Sequence, residues 1–223
     1  MTLLLAIKPS GGNWAPEAWR RRFGALYAGP IAMAGTPHDP ATVKYAACWK
    51  AEPGLLATLP NLKVIFNLGA LLADPTTPKH APIVRVVDRD LTKRMTEWVV
   101  WHVLDQHRQG PLHRAAQARG EWIGPDQWAA PAVRVGLMGL GEIAQDAAGV
   151  LRRICFRVSG WSRSKREIDG MTTYAGSDGL KPFLASTDIL VCLLPLTPDT
   201  RGILDRRLFA GLARDGVLTK PVL

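Results

Sequence analysis

Val133 to Ala144 reads VRVGLMGLGEIA, and no other stretch restricts the local fold as strongly. Val133 to Met138 is apolar and rich in β-branched residues. Gly139-Leu140-Gly141-Glu142-Ile143-Ala144 follows, and QDAAGVLRRI behind it has helical propensity. This is a G-x-G-x-x-G/A pattern at a strand-to-helix turn. Gly139 permits the tight turn, and Gly141 lets the backbone come close to a pyrophosphate. A small residue at Ala144 lets helix and strand pack closely. The helix start offers N–H groups without intrahelical partners and the positive end of a dipole, so Gly139, Leu140, Gly141, Glu142 and Ile143 are candidate cofactor-binding residues. Taken alone, the motif fits a glycine-rich turn without a ligand equally well.

The segments downstream weigh on that choice. FRVSGW (residues 156–161) is the next strand expected, and it runs into Ser162-Arg163-Ser164-Lys165-Arg166. An acidic residue at its end would bind a ribose 2′-hydroxyl and repel a 2′-phosphate. Here Ser162 and Arg163 stand instead, and a guanidinium suits a phosphate because it donates in a bidentate fork. An exposed basic turn is the plainer explanation; beside the glycine motif, NADPH is favoured over NADH. With Ser164 these form the candidate 2′-phosphate site. Ile189 to Leu194 is an apolar run expected as a central parallel strand. Ligands of such sheets gather at the carboxyl ends of strands, so Leu194, Pro195 and Thr200 are expected to face the cofactor.

The first ninety residues have α/β character. LLLAI (3–7), KYAACW (44–49), LKVIFNL (62–68) and IVRVV (83–87) read as strands, with PEAWRRRF and GLLATL as helical crossovers. From Leu91 the period changes. Leu91, Met95, Trp98, Val99, His102 and Val103 fall on one helical face, with Asp90 available as N-cap and the helix running to about Arg108. GEWIGPDQWAAP beyond it is a candidate domain join.

Composition removes several classes. The chain of 223 residues carries a formal charge of +9, so nucleic acid has to be considered. The basic residues form scattered short clusters without interleaved aromatics, and a basic protein with an anionic small ligand explains the charge equally well; no nucleic-acid partner is expected. Cys48, Cys155 and Cys192 stand far apart in apolar surroundings, which fits small buried hydrophobes rather than disulfides or a metal site. No apolar run is long enough to cross a bilayer. TLLLAI is too short for a signal-peptide core, so no membrane and a cytoplasmic address are expected.

VGLMGLGEIA, GWSRS and TDILVCLLPLTPDTRGIL, with NLKVIFNLGA and PIVRVVDRDLTKRMTEWVVWHVL before them, resemble the D-2-hydroxyacid dehydrogenases, in the glyoxylate/hydroxypyruvate reductase A branch. The resemblance covers nearly the whole chain from residue 44 onward, in order. It implies a doubly wound parallel-sheet (Rossmann) cofactor domain over 131–223, a connecting helix and linker over 91–130, and a smaller flavodoxin-like α/β substrate domain over 1–90. It also implies NAD(P)H-dependent reduction of small 2-oxoacids such as glyoxylate and hydroxypyruvate. Gly69 and Ala70 are implied to grip the substrate carboxylate, and the long helix around Trp98 and Trp101 to support a homodimer.

Two departures accompany the resemblance. NLGALLADPTTP stands where the family continues Leu-Gly-Ala-Gly. The family's catalytic Arg, acid and His are expected beyond Leu223, and no catalytic role passes to His38, His80, His102, His107, His113 or Arg201. From Val133 to Leu223 there are 91 residues. At roughly 30 per βαβ unit they hold about four strands, so the cofactor domain is expected to be incomplete and its last strand, near Val217, to leave an unpaired edge. The alternative function is a catalytically inactive dinucleotide-binding remnant of such an enzyme.

Overall fold

Strands of three to seven residues, most of them apolar, form two parallel sheets, one in each of two units, Met1–Val87 and Asp88–Leu223. The computed structural model describes residues 1–10, 14–69, 74–85, 88–213 and 216–219.

In the first unit, strands β1 (Thr2–Ile7), β2 (Ile31–Met33), β3 (Val43–Trp49), β4 (Val64–Asn67) and β5 (Ile83–Arg85) lie in the order β2-β1-β3-β4-β5. All the pairings are parallel, and 2-1-3-4-5 is the flavodoxin-like doubly wound order. β1 is buried along its whole length because both faces are covered. Leu4 and Ala6 pack with Val43, Ala46, Leu56 and Ile65 on one face. Leu3, Leu5 and Ile7 meet Trp19 and Phe23 of helix α1 (Pro16–Gly24) on the other. The crossover read from GLLATL is a single short 3-10 turn, Leu55–Thr58. β2, which follows a Gly-Pro pair, is a strand beyond the four expected. Val86 and Val87, the last residues of the IVRVV run, lie outside the described residues.

The second unit begins with helices α2 (Arg89–His107) and α3 (Gly110–Ala118). Strands β6 (Arg134–Met138), β7 (Arg157–Ser162), β8 (Thr172–Ala175), β9 (Ile189–Cys192) and β10 (Val217–Thr219) follow, with helices α4 (Glu142–Arg153), α5 (Gly176–Ala185) and α6 (Arg206–Gly211) between them. The sheet order is β10-β9-β6-β7-β8, again parallel throughout. Counted within the unit this is 3-2-1-4-5, the order of the first five strands of a Rossmann sheet. Five strands therefore stand where the length suggested about four. The extra one is β8, whose Thr-Thr-Tyr-Ala sequence has no apolar signal. Among the described residues β10 pairs only with β9 and forms one edge of the sheet.

Alternation along β6 builds both faces. Val135 and Leu137 pack against α2 and α4 through Val99, Val103, Ala147 and Leu151. Met138 packs with Phe183, Leu184 and Leu208 on the opposite face. At the amino ends of the strands, Asp188 accepts from the Arg134 backbone N–H at 2.8 Å and from the Arg134 guanidinium, tying β6 to β9.

The helix from Leu91 needs correcting at its start. Thr92 N–H already donates to the Asp88 carbonyl, and the Asp88 side chain accepts from Asp90 N–H, so Asp88 rather than Asp90 is the N-cap. The buried line is Thr96, Val99 and Val103, while Leu91 lies half in solvent. Thr96 and Lys93 donate to Asp146 of α4 at 2.6 and 2.7 Å, adding a polar tie to that helix contact. α2 and the GEWIGPDQWAAP stretch both lie in the second unit.

Cysteine usage also departs from expectation. Cys48 and Cys192 are buried, but Cys155 is exposed. It sits at φ +72° just past α4. Its N–H bonds the Arg152 carbonyl and Phe156 N–H bonds that of Leu151, the paired bonds of a Schellman end. Chain reversal, not core packing, decides the environment of Cys155.

Candidate functional site

The chain leaves β6 for β7 on one side and returns to β9 on the other, so a crevice is expected at the carboxyl end of β6. The backbone ladders run right up to it: Gly139 N–H donates to Trp161 O and Leu193 N–H to Met138 O, both at 2.8 Å. The two motif glycines then differ in kind. Gly139 has φ +102°, and a Cβ there would lie 3.2 Å from both the Leu193 carbonyl carbon and Leu194 Cδ2. The fold itself demands glycine at 139. Gly141 is extended, at φ −78° and ψ −172°, and a Cβ there would meet nothing within 4 Å. Neither backbone nor neighbours require glycine at 141; a group closing on the start of α4 would. That start has no side-chain cap, so the N–H groups of Ile143 and Ala144 lack the capping partner a Ser or Asp would provide. Ala144 is buried against the sheet, and Leu140 is buried beneath the turn.

Two further loops reach the same end of the sheet. After β7, buried Ser162 donates its hydroxyl proton to the Ser164 carbonyl at 2.8 Å, which shapes the turn. Arg163 extends outward and pairs with Asp199 at 3.1 Å. Arg166 reaches back to the Leu140 carbonyl at 3.4 Å, joining this loop to the glycine turn. After β9, Thr200 Oγ1 donates to the Pro195 carbonyl and accepts from Thr197 N–H, closing the loop on itself. Leu194, Pro195 and Thr200 line a cavity of about 180 Å³ with Cys192 and Ile203. The structure thus brings Gly139 to Ile143, Ser162 to Ser164, and Leu194 to Thr200 to one end of one sheet. Asp199 and Arg166 are the participants the sequence did not single out. Arg166 belonged to a visible basic cluster, whereas nothing local marks Asp199 as a partner of Arg163.

Residues 100–220 match the family model described as D-isomer specific 2-hydroxyacid dehydrogenase, NAD binding domain, which spans α4, all five strands of the second sheet and the three loops. The chain belongs to the D-isomer specific 2-hydroxyacid dehydrogenase family. Curated relatives include glyoxylate/hydroxypyruvate reductase A of Serratia proteamaculans (strain 568), 33% identical over 79% of this chain and 59% of that protein. The enzyme of the same name from Yersinia enterocolitica is 33% identical over 78% and 58%. The chain therefore spans about three-fifths of the length of these relatives. Among solved structures, the NADPH-dependent glyoxylate/hydroxypyruvate reductase of Sinorhizobium meliloti, in complex with NADP and sulfate, is 39% identical. It superposes with a TM-score of 0.86 over 98% of this chain and 72% of its own. A D-isomer specific 2-hydroxyacid dehydrogenase of Xanthobacter autotrophicus Py2, in complex with NADPH and MES, gives 34%, 0.86, 98% and 71%.

In this family member the first unit also carries a shaped loop at the carboxyl end of a strand. Buried Asn67, the last residue of β4, donates from Nδ2 to Gly69 O at 2.9 Å and accepts from Gly69 N–H at 3.3 Å. The Gly69 N–H is thus directed at Asn67. A Cβ on Gly69 would come within 3.1 Å of Trp49 Cδ1, so the indole covers this loop. Ala70 lies outside the described residues. Among the described residues no group of His, Cys, Asp and Glu could hold a metal ion. No described helix is long and apolar enough to cross a membrane.

Proposed function

We propose that the protein acts in NADPH-dependent reduction of small 2-oxoacids, of the glyoxylate and hydroxypyruvate class, to 2-hydroxyacids. The observation that carries this is the open space over Gly141 at an uncapped helix start, with Arg163 on the neighbouring loop. The residues fit a dinucleotide: the backbone from Gly139 to Ile143 takes the pyrophosphate, and Arg163 with Ser164 takes the 2′-phosphate. Ser162 holds the turn that presents them, and Leu194, Pro195 and Thr200 form the wall across the crevice. The reduced nicotinamide, when bound, supplies the hydride for the carbonyl carbon. On the first unit, the loop at Gly69 and Ala70 receives the substrate carboxylate, which requires the Gly69 N–H to exchange its 3.3 Å bond to Asn67 for the anion. No described residue is assigned the proton transfer.

The same resemblance supports a cytoplasmic homodimer. Trp101 on α2 and Trp122 and Trp128 after α3 are 59%, 99% and 74% exposed, and such indoles are favoured in interfaces. Sedimentation distinguishes a dimer from a monomer.

Titration with NADPH and NADH, followed by nucleotide fluorescence, tests the coenzyme site. Loss of NADPH absorbance on adding glyoxylate or hydroxypyruvate tests turnover. Saturable binding with turnover supports the full proposal, and saturable binding without turnover supports the inactive remnant. Absence of binding to either nucleotide refutes both.

A further inference from the structure

The Arg163–Asp199 ion pair joins loops that leave β7 and β9, the two strands flanking β6. It therefore spans the carboxyl end of β6, where the glycine turn lies. Asp199 comes from a Thr-Pro-Asp-Thr turn held by its own bonds, with Thr197 N–H and the Pro195 carbonyl both on Thr200 Oγ1. The carboxylate is thus presented on a closed loop. Arg163 is the cation assigned to the 2′-phosphate, so its guanidinium already has an anion of the protein's own.

We infer that Asp199 is a specificity-determining residue, an internal carboxylate that competes with the coenzyme 2′-phosphate for Arg163. This rests on the coenzyme reading above. A phosphate monoester carries more charge than a carboxylate and displaces it, but NADPH binding then includes release of the Asp199 pair and the approach of phosphate to a freed carboxylate. NADH has no such phosphate and leaves the pair in place. Asp199 therefore lowers the preference for NADPH over NADH. The side chains of the pair are 86% and 74% exposed, which places the effect in the range of exposed ion pairs, about two- to fivefold in Kd.

The test is fluorescence titration of the whole chain with NADPH and NADH, comparing the wild type with Asp199→Asn and Asp199→Glu at low and high salt. Asp199→Asn is expected to tighten NADPH about two- to fivefold while leaving NADH unchanged. The gain shrinks as salt screens the pair, and Asp199→Glu, which keeps the charge, stays near wild type. Unchanged or weaker NADPH binding by Asp199→Asn overturns the inference, as does an equal gain for NADH, which would make the pair a barrier to both nucleotides. In either case the coenzyme reading survives. Failure of all three proteins to bind either nucleotide overturns the coenzyme reading, and this inference with it.

Discussion

Gly139→Ala and Gly141→Ala, two residues apart, are expected to fail in opposite ways. At Gly139 the added methyl meets a backbone at φ +102° and lies 3.2 Å from the Leu193 carbonyl carbon, which belongs to a paired strand end and has little freedom to move. The conformational part costs about 1–2 kcal/mol and the crowding about 1–2 kcal/mol more. The sum, about 2–4 kcal/mol, lowers the thermal midpoint by roughly 4–16 °C at this chain length. At Gly141 the backbone is extended and nothing lies within 4 Å. Ala there restricts the unfolded chain, a gain of about 0.4–1 kcal/mol, and is a poorer N-cap than Gly by about 0.5 kcal/mol. The net effect on folding stays within about 0.5 kcal/mol, while the methyl occupies the space left for a pyrophosphate and weakens NADPH binding about tenfold or more. Thermal unfolding by circular dichroism and nucleotide titration separate the two. A Gly141→Ala protein that unfolds well below wild type, or that binds NADPH normally, would refute the division between a folding glycine and a ligand glycine.

Arg163→Gln is expected to weaken NADPH about tenfold while sparing NADH, since a charge-assisted bond to phosphate contributes about 1.5 kcal/mol or more; parallel loss for both nucleotides would count against a 2′-phosphate role. Cys155→Gly removes a side chain from φ +72° and should raise stability by about 1 kcal/mol, read as a higher urea midpoint. A thiol reagent should label Cys155 in the native protein, but Cys48, whose thiol burial pushes up to about 12, only after unfolding. Burial alone would raise the carboxyl of Asp188, but hydrogen bonds from the Arg134 guanidinium and N–H outweigh it and hold the group below its ordinary 3.8. A depressed folded value stabilises above the unfolded one, and that contribution is lost as pH falls through the folded value. Asp188→Asn should therefore be less stable than wild type at pH 7, with the gap in urea midpoints closing below about pH 4.

What could be read in the sequence follows the strength of local signals. β6, the glycine turn and α4 were legible because apolar run, glycine spacing and helix former succeed one another without competition. The sheet's membership was less so. β8 is a polar edge strand bonded on one side to β7 and lacks the apolar pattern that burial on two faces imposes, while β2, apolar as Ile-Ala-Met, is only three residues long and too short to stand out as a strand. Asp88 and Asp90 are equally good caps by type; the Thr92 N–H bond to the Asp88 carbonyl decides between them, and that bond is a property of the folded helix. Ile154-Cys155-Phe156 looks like core, yet ending α4 there needed a left-handed residue and the chain supplies no glycine. The Arg163–Asp199 pair is 36 residues apart in sequence, and only the crossover from β7 through β8 to β9 brings it together.

The loops proposed to take the coenzyme are held by side chains in the free protein. Arg166 holds the Leu140 carbonyl, Ser162 holds that of Ser164, and Thr200 holds that of Pro195, so each loop is closed by a side chain bonding to backbone. Loops already in shape lose less freedom on binding, which favours affinity from few contacts. The ion pair of Arg163 is expected to act in the other direction, because it is satisfied in the free protein and, on the proposed reading, is exchanged when a phosphate binds. On the proposed reading, binding exchanges the one charged tie and leaves the three backbone ties in place, so anion selectivity is expected to be adjustable at a single carboxylate. On that reading Asp199, rather than any glycine of the turn, is the position at which coenzyme preference is expected to change without cost to the fold.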